Sequence, residues 1–367
     1  MFRFKNIFLI VLIAAVAVSC DGFKMPKNIF DPSERAKYER RFTGPDSLMT
    51  RWKTEFSAAA QNQLQITDGY SGSVFGGSNN LYALGYSVGL KKGDLLVIEA
   101  TVTAPEPKIF IDIFEAGRGA ESSKTELLRN GSVTRFTENS GIHKIIIQPE
   151  IGYQGTFSLK IYTQPSLGFP VAGKANRDVQ SFWGASRDGG GRSHEGVDIF
   201  APRGTPVVAA TDGYITRTGN SGLGGKQVWQ RDGLLGSSLY YAHLDSIMVQ
   251  GGAQVKTGDT LGLVGSTGNA KGGAPHLHFG IYSVGGAVDP YPYLRKRLKP
   301  VYKKAAVPAG KAVKAGSNLR AGPGTQFEII ATLDEKTAVN VLAGDGAWYH
   351  IKTVSGTEGF VSSSLFQ

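Results

Sequence analysis

The sequence predicts a mainly β protein assembled from several small antiparallel domains, and three observations carry that prediction. Glycine supplies 49 of 367 residues and aromatic side chains 10%, a composition suited to tight turns and half-buried strands. Long runs of helical periodicity are few. From about Leu64 onward, short apolar segments alternate with turn residues. At this length one compact core is not expected, and two or three domains are.

The N-terminus reads first. Arg3 and Lys5 precede Ile7 to Val18, an uninterrupted apolar run of twelve. That run is too short to span a bilayer comfortably as a helix, but it suits the core of a signal peptide. It ends in Ala17-Val18-Ser19-Cys20, and Cys20 is the only cysteine. This resembles a bacterial lipoprotein signal over residues 1–20, which implies that Cys20 is lipidated and becomes the new N-terminus. Acyl chains there would hold the protein on a membrane, each buried CH₂ contributing about 0.8 kcal/mol. With one cysteine, no disulfide can form within the chain. The formal charge of +10 is spread along the sequence, so nucleic acid is not an expected partner, whereas a polyanionic wall or anionic lipid suits the balance.

Residues 21–61 read as a tether and helical segment. Asp31-Pro32-Ser33-Glu34 gives an N-cap, a proline at the first helical position and a capping-box glutamate. Leu48, Trp52 and Phe56 then recur at four-residue spacing, a packing face. Residues 62–166 read as a β-sandwich module: Leu95 to Val102, Ile109 to Phe114, Lys144 to Gln148 and Phe157 to Tyr162 are strand-like, with turns at Lys91-Lys92-Gly93-Asp94 and Tyr153-Gln154-Gly155. A dense glycine-rich domain over 167–298 follows, then a basic linker, 299–307, expected to be solvated. Residues 308–367 form a last β-rich unit. Its Asn318-Leu319-Arg320-Ala321-Gly322-Pro323-Gly324 and the short strands after it resemble a bacterial SH3-like barrel, which implies attachment to wall peptides or a docking role.

Chemistry concentrates in 167–298. Four of the six histidines, His194, His243, His276 and His278, lie there. His194-Glu195-Gly196-Val197-Asp198 places a carboxylate four residues after a histidine, with Gly196 and Val197-Asp198-Ile199 arguing for a turn that enters a strand. In His276-Leu277-His278, residues i and i+2 of a strand point to one side, so both imidazoles would share a space while Leu277 packs behind. Tyr240-Tyr241-Ala242-His243-Leu244 is a further strand, whose histidine could equally be a half-buried one satisfied by a backbone carbonyl. His143 and His350 fall in other domains and are expected to be structural or exposed.

Taken together, these elements resemble the catalytic domain of lysostaphin-type (LytM-type) zinc metallopeptidases across residues 180–295. The order runs from Arg192-Ser193-His194 to Asp198, through Ala201-Pro202-Arg203-Gly204-Thr205-Pro206, Tyr241-Ala242-His243-Leu244 and Gly265-Ser266-Thr267-Gly268, to His276-Leu277-His278. The resemblance implies that His194, Asp198 and His278 bind Zn²⁺ while His243 and His276 line the cleft as catalytic groups. Three protein ligands leave a tetrahedral zinc one position for water. No His-Glu-x-x-His glutamate is present, so the two remaining histidines are the candidates for orienting water, moving its proton and stabilising the oxyanion; which does which stays open. Thiolate ligation is excluded by the cysteine count, and a two-nitrogen, one-oxygen set suits zinc better than calcium or magnesium. Gly189-Gly190-Gly191 suggests a mobile loop beside the cleft. Arg187 and Arg192 could meet a substrate carboxylate, and Trp229 and Tyr240 are groove walls or core.

The expected function is hydrolysis of peptide crosslinks in bacterial peptidoglycan, with D-alanyl-diaminopimelate bonds favoured, by a lipid-anchored envelope protein facing the periplasm. The alternative is a regulator or scaffold of other cell-wall enzymes, with or without catalysis of its own.

Overall fold

The computed structural model describes residues 33–367 apart from 77–80, 103–106, 117–123, 129–130, 234–235 and 311. The signal segment and Cys20 therefore lie outside the described residues. Among the described residues, no helix is long and apolar enough to cross a membrane.

Two helices open the described chain, Glu34–Arg41 and Asp46–Gln61. The first is capped by Ser33, whose Oγ accepts from Ala36 N at 3.2 Å. The cap thus falls two residues after the Asp31 expected from sequence, because a serine hydroxyl serves the same orphan N–H groups. In the second helix Trp52 is buried, its Nε1 donating to Pro149 O at 2.9 Å, as the four-residue spacing predicted. Arg35 clips the helices to the sheet below: its guanidinium donates to Asp112 Oδ2 at 2.6 Å and lies 4.5 Å from the Trp52 ring centre and 4.2 Å from that of Phe56.

That sheet is four-stranded, ordered Leu84–Leu90, Gly141–Pro149, Ile109–Phe114, Lys124–Leu127. It is covered on both faces. Ile109, Ile111 and Ile113 point into the sandwich, while Phe110 and Asp112 meet the helices. This explains why its strands read as near-continuous apolar runs. The opposing sheet contributes Tyr70–Phe75, Thr156–Pro165, Asp94–Val102 and Ser132–Phe136.

The opposing sheet does not end at the sandwich. Tyr70–Phe75 also pairs, antiparallel, with Thr337–Gly344 of the C-terminal barrel, Ser73 opposite Gly344 and Val74 opposite Ala343. The barrel strands extend the sheet further, and its Leu342, Ala343 and Phe360 join the sandwich core. His350 is fully buried at this junction, with Nδ1 3.1 Å from Tyr86 Oη, and Lys352 bridges Glu358 and Glu55. Most residues of 299–307 are exposed, but the segment is pinned to the sandwich at several points, starting just before it at Arg297. Arg297 pairs with Asp94 at 2.9 Å and Lys299 with Glu99 at 2.7 Å, and Tyr302 Oη lies 2.7 Å from Ser73 Oγ. The acidic sandwich edge draws the basic segment down.

The glycine-rich domain is a separate antiparallel sheet, ordered Gln254–Val255, Gly213–Ser221, Gly225–Asp232, Ser238–Ile247, His276–Ser283, Val197–Phe200, Val179–Ser181. Val197, Ile199, Val228, Leu239, Tyr241, Leu277, Phe279 and Ile281 fill its core face. Strand alternation sends their neighbours Asp198, Tyr240, His276 and His278 to the opposite, open face. The domain meets the sandwich through Tyr293, which lies against Gly93 and 6.3 Å from the Phe136 ring.

Candidate metal centre

Register brings the candidate ligands together. Asp198 and His278 are direct partners across adjacent strands, and Ala242 faces His278 from the other side. His194 sits just before the Val197–Phe200 strand and folds back over it. His194 Nε2, His278 Nδ1 and Asp198 Oδ1 mark a triangle with all three edges 3.0 Å. These residues are the one group of three or more such side chains able to hold a metal among the described residues.

The donors fit a small cation. His194 Nδ1 donates to Phe182 O at 2.9 Å, so in the neutral ring Nε2 carries a lone pair and points it at a carboxylate oxygen. Two acceptors at that distance repel unless a proton or a cation lies between them. Ligand bonds of 2.0–2.2 Å in a tetrahedral zinc site set donors about 3.3 Å apart, close to the edges seen. Burial by itself would raise the Asp198 carboxyl, but hydrogen bonding and charge from His194 and His278 outweigh it and hold the group far below the usual range. Burial also lowers His278, favouring the neutral ring that ligation needs.

Arg187 has a role that differs from the expected substrate contact. Its Nη2 donates to Asp198 Oδ2 at 2.7 Å and to Ser181 Oγ at 2.6 Å. It braces the candidate ligand from behind. Arg192 instead pairs with Asp188 at 2.7 Å at the cleft rim. The glycines between them form a short turn joining Ser186–Arg187 to Arg192–Ser193.

His243 and His276 face one another across the floor with ring centres 5.0 Å apart, and His243 lies 5.8 Å from His278. Both are anchored alike: His243 Nδ1 donates to Thr267 O at 2.9 Å and His276 Nδ1 to Ala274 O at 2.8 Å. Each ring is thereby left with Nε2 as a free lone pair. The carbonyl-satisfied reading of His243 holds, and the free Nε2 is compatible with the expected catalytic role. Its backbone has φ of 63°, a left-handed conformation costly for a non-glycine residue. Irregular pairing surrounds it: Lys226 opposes Leu244 while Val228 opposes Tyr241. Burial, then the neighbouring histidines, lower His243 to about 4. No local sequence signal marked Ser181, Phe182 O or Thr267 O, which act through tertiary placement.

The cleft has a volume of about 670 Å³, and every residue lining it lies between Ser181 and Tyr282. Trp229 and Tyr240 stand in its wall, ring centres 4.4 Å apart. His143 and His350 are both buried, remote from it, in the sandwich and the barrel.

Residues 192–290 match the model of peptidase family M23, and residues 315–367 that of the bacterial SH3 domain. An L-Ala–D-Glu endopeptidase of Bacillus subtilis is 36% identical over 160 residues, covering 40% of this chain and 49% of the relative. The peptidoglycan DD-endopeptidase ShyC of Vibrio cholerae is 38% identical over 91 residues, 24% of this chain and 20% of the relative. The chain thus spans about half or less of these relatives' lengths. Among solved structures, the catalytic domain of lysostaphin from Staphylococcus simulans is 36% identical, covers 31% of this chain and 89% of that chain, and has a TM-score of 0.29. The chain accordingly contains an M23 (LytM/lysostaphin-type) peptidase domain and a bacterial SH3 domain in a mainly β architecture.

Proposed function

We propose that this protein is a zinc-dependent endopeptidase that hydrolyses peptide crosslinks of bacterial peptidoglycan, held at a membrane by lipid on Cys20. The observation that carries the reading is the 3.0 Å triangle of His194, Asp198 and His278 beside two imidazoles whose Nε2 atoms are left free. His194, Asp198 and His278 would hold the metal. Bound zinc supplies Lewis acidity and lowers the pKa of water towards about 7. His243 and His276, each with Nδ1 committed to a backbone carbonyl, would offer Nε2 lone pairs to take up the proton of an attacking water. Once protonated, the same Nε2 atoms donate to the carbonyl oxygen or to the departing amine. Arg187 would hold the Asp198 carboxylate in its orientation through the Nη2–Oδ2 contact. That one relative is a peptidoglycan DD-endopeptidase and another an L-Ala–D-Glu endopeptidase supports this substrate; D-alanyl-diaminopimelate crosslinks are the favoured bond. Other wall enzymes are further candidate partners.

The test is incubation of the full chain with purified peptidoglycan, with fragments resolved by mass spectrometry. Loss of crosslinked fragments is expected with zinc, and none after chelation or in His278→Ala. An intact crosslink pattern from zinc-loaded wild type would refute the peptidase and leave the regulator.

A further inference from the structure

The cleft wall leads away from the metal centre along a continuous strip. Tyr240 lies 5.8 Å from His278, edge to face, and Trp229 lies 4.4 Å beyond Tyr240. The Arg217 guanidinium then sits 4.5 Å from the Trp229 ring centre. Strand register produces this order. Trp229 opposes Tyr240 on one side and Arg217 on the other, and the irregularity between Ile215 and Arg217 turns the arginine onto the ring face. Tyr240 is held in place by its hydroxyl, which donates to Gln227 Oε1, and by Gly224, where a Cβ would come within 1.8 Å of the Tyr240 oxygen. A second depression of about 420 Å³ shares Leu223, Gly224, Trp229 and Tyr240 with the main cleft and reaches Arg217. Leu223 stands 53% exposed where the two meet.

Arg217 is exposed and has no carboxylate partner among the described residues, unlike Arg187 and Arg192. Glu195, the exposed acid lining the cleft, lies towards Tyr282. The far end of the groove is therefore positive, flanked by aromatic surface, and within reach of a short extended peptide from the metal centre.

We propose that Arg217, backed by Trp229 and Tyr240, is a subsite that recognises a free carboxylate on the peptide substrate, a few residues from the bond placed at His194, Asp198 and His278. This rests on the peptidase reading and adds a specificity to it. The guanidinium fork matches a carboxylate in shape as well as charge, and the ring beneath keeps the fork from collapsing into solvent. Peptides whose carboxylate is masked as an amide lose the contact and are poorer substrates.

Three synthetic wall peptides test it with the full-length protein: one with all carboxylates free, one with only the internal carboxylate amidated, and one with only the C-terminal carboxylate amidated. Arg217→Met should raise KM about tenfold for the free acid with kcat within about twofold. It should leave KM unchanged for whichever amidated twin lacks the recognised group, which also tells internal from terminal recognition. Arg217→Lys, which keeps the charge but loses the fork, should raise KM for the free acid less than Arg217→Met does. Equal KM changes for all three peptides, or none, would overturn the subsite. Binding measured by titration calorimetry separates the two readings. Arg217-dependent preference for the free acid without any cleavage would uphold the subsite and refute the peptidase. Equal binding of all three peptides by wild type and Arg217→Met would refute the subsite whether or not cleavage occurs.

Discussion

Arg187 Nη2 lies 2.7 Å from Asp198 Oδ2, while Asp198 Oδ1 lies 3.0 Å from both His194 Nε2 and His278 Nδ1. One carboxylate is thus divided between a guanidinium and the candidate metal site. The pair is only partly exposed, so the charge it neutralises and the orientation it fixes both bear on ligation.

Replacing Arg187 by methionine should therefore weaken zinc binding about 10- to 100-fold. Competition against a calibrated chelator measures it. Arg187→Lys should recover part of the loss, because an ammonium keeps the charge beside Oδ2 but lacks the planar guanidinium that fixes the contact. Wild-type affinity in Arg187→Met would show that the contact is incidental.

Gly196 tests the space behind the site. A Cβ there would come within 2.6 Å of both His278 Cε1 and Phe279 O. Gly196→Ala must push the imidazole off its position, since the carbonyl belongs to a central strand. The expected result is at least tenfold weaker zinc binding, with about 1–3 kcal/mol lost in stability from overpacking. Gly191→Ala, where the new Cβ would meet only Asp188 O, at 3.5 Å, should leave both within error.

The metal-free protein should lose stability as pH falls from about 6.5 to about 4. His243 has its folded pKa lowered to about 4 by burial and by His276 and His278, against about 6.5 unfolded. In that window the unfolded chain takes up the proton and the folded one does not, so stability is present above the window, declines through it and levels off below. His278 shifts the same way, so the His243 share is the difference between wild type and His243→Gln. Thermal denaturation of chelator-treated protein from pH 4 to 7 reads it; parallel curves for the two would contradict the shift.

Periodicity and local chemistry made the site legible as far as they reach. The His276-Leu277-His278 alternation placed both imidazoles on one face, and the turn at Gly196 placed Asp198 on a strand, as found. What could not be read depended on residues distant in sequence. Phe182 O fixes the His194 tautomer, Thr267 O fixes His243, and Arg187 turns inward only because Asp198 and Ser181 are there to receive it. The same holds for the fold. The strand-rich sandwich was apparent from short apolar runs between turns, and the barrel from its resemblance to a bacterial SH3-like domain, but no local pattern announces that Tyr70–Phe75 pairs on one side within the sandwich and on the other with the barrel.

That shared sheet yields the last prediction. A Cβ on Gly72 would come within 2.6 Å of Gly344 O in the neighbouring barrel strand. Backbone cannot yield there without parting the strands, so Gly72→Val should loosen the barrel from the sandwich. The segment 299–307 bridges the same junction through Ser71 and Ser73, which accept from Lys303 N at 3.2 Å and Ala305 N at 3.0 Å; it should become accessible to proteases at the same time. Gly89→Val is the matched control. It too lies in a sandwich strand, but there a Cβ would meet only Ile142 Cδ1, at 3.8 Å. We expect Gly72→Val to cost about 1–3 kcal/mol in thermal unfolding and to speed cleavage within 299–307. Cleavage at the wild-type rate would mean that the barrel is held by its side-chain contacts, Tyr86 to His350 and Lys352 to Glu55, rather than by the strand pairing.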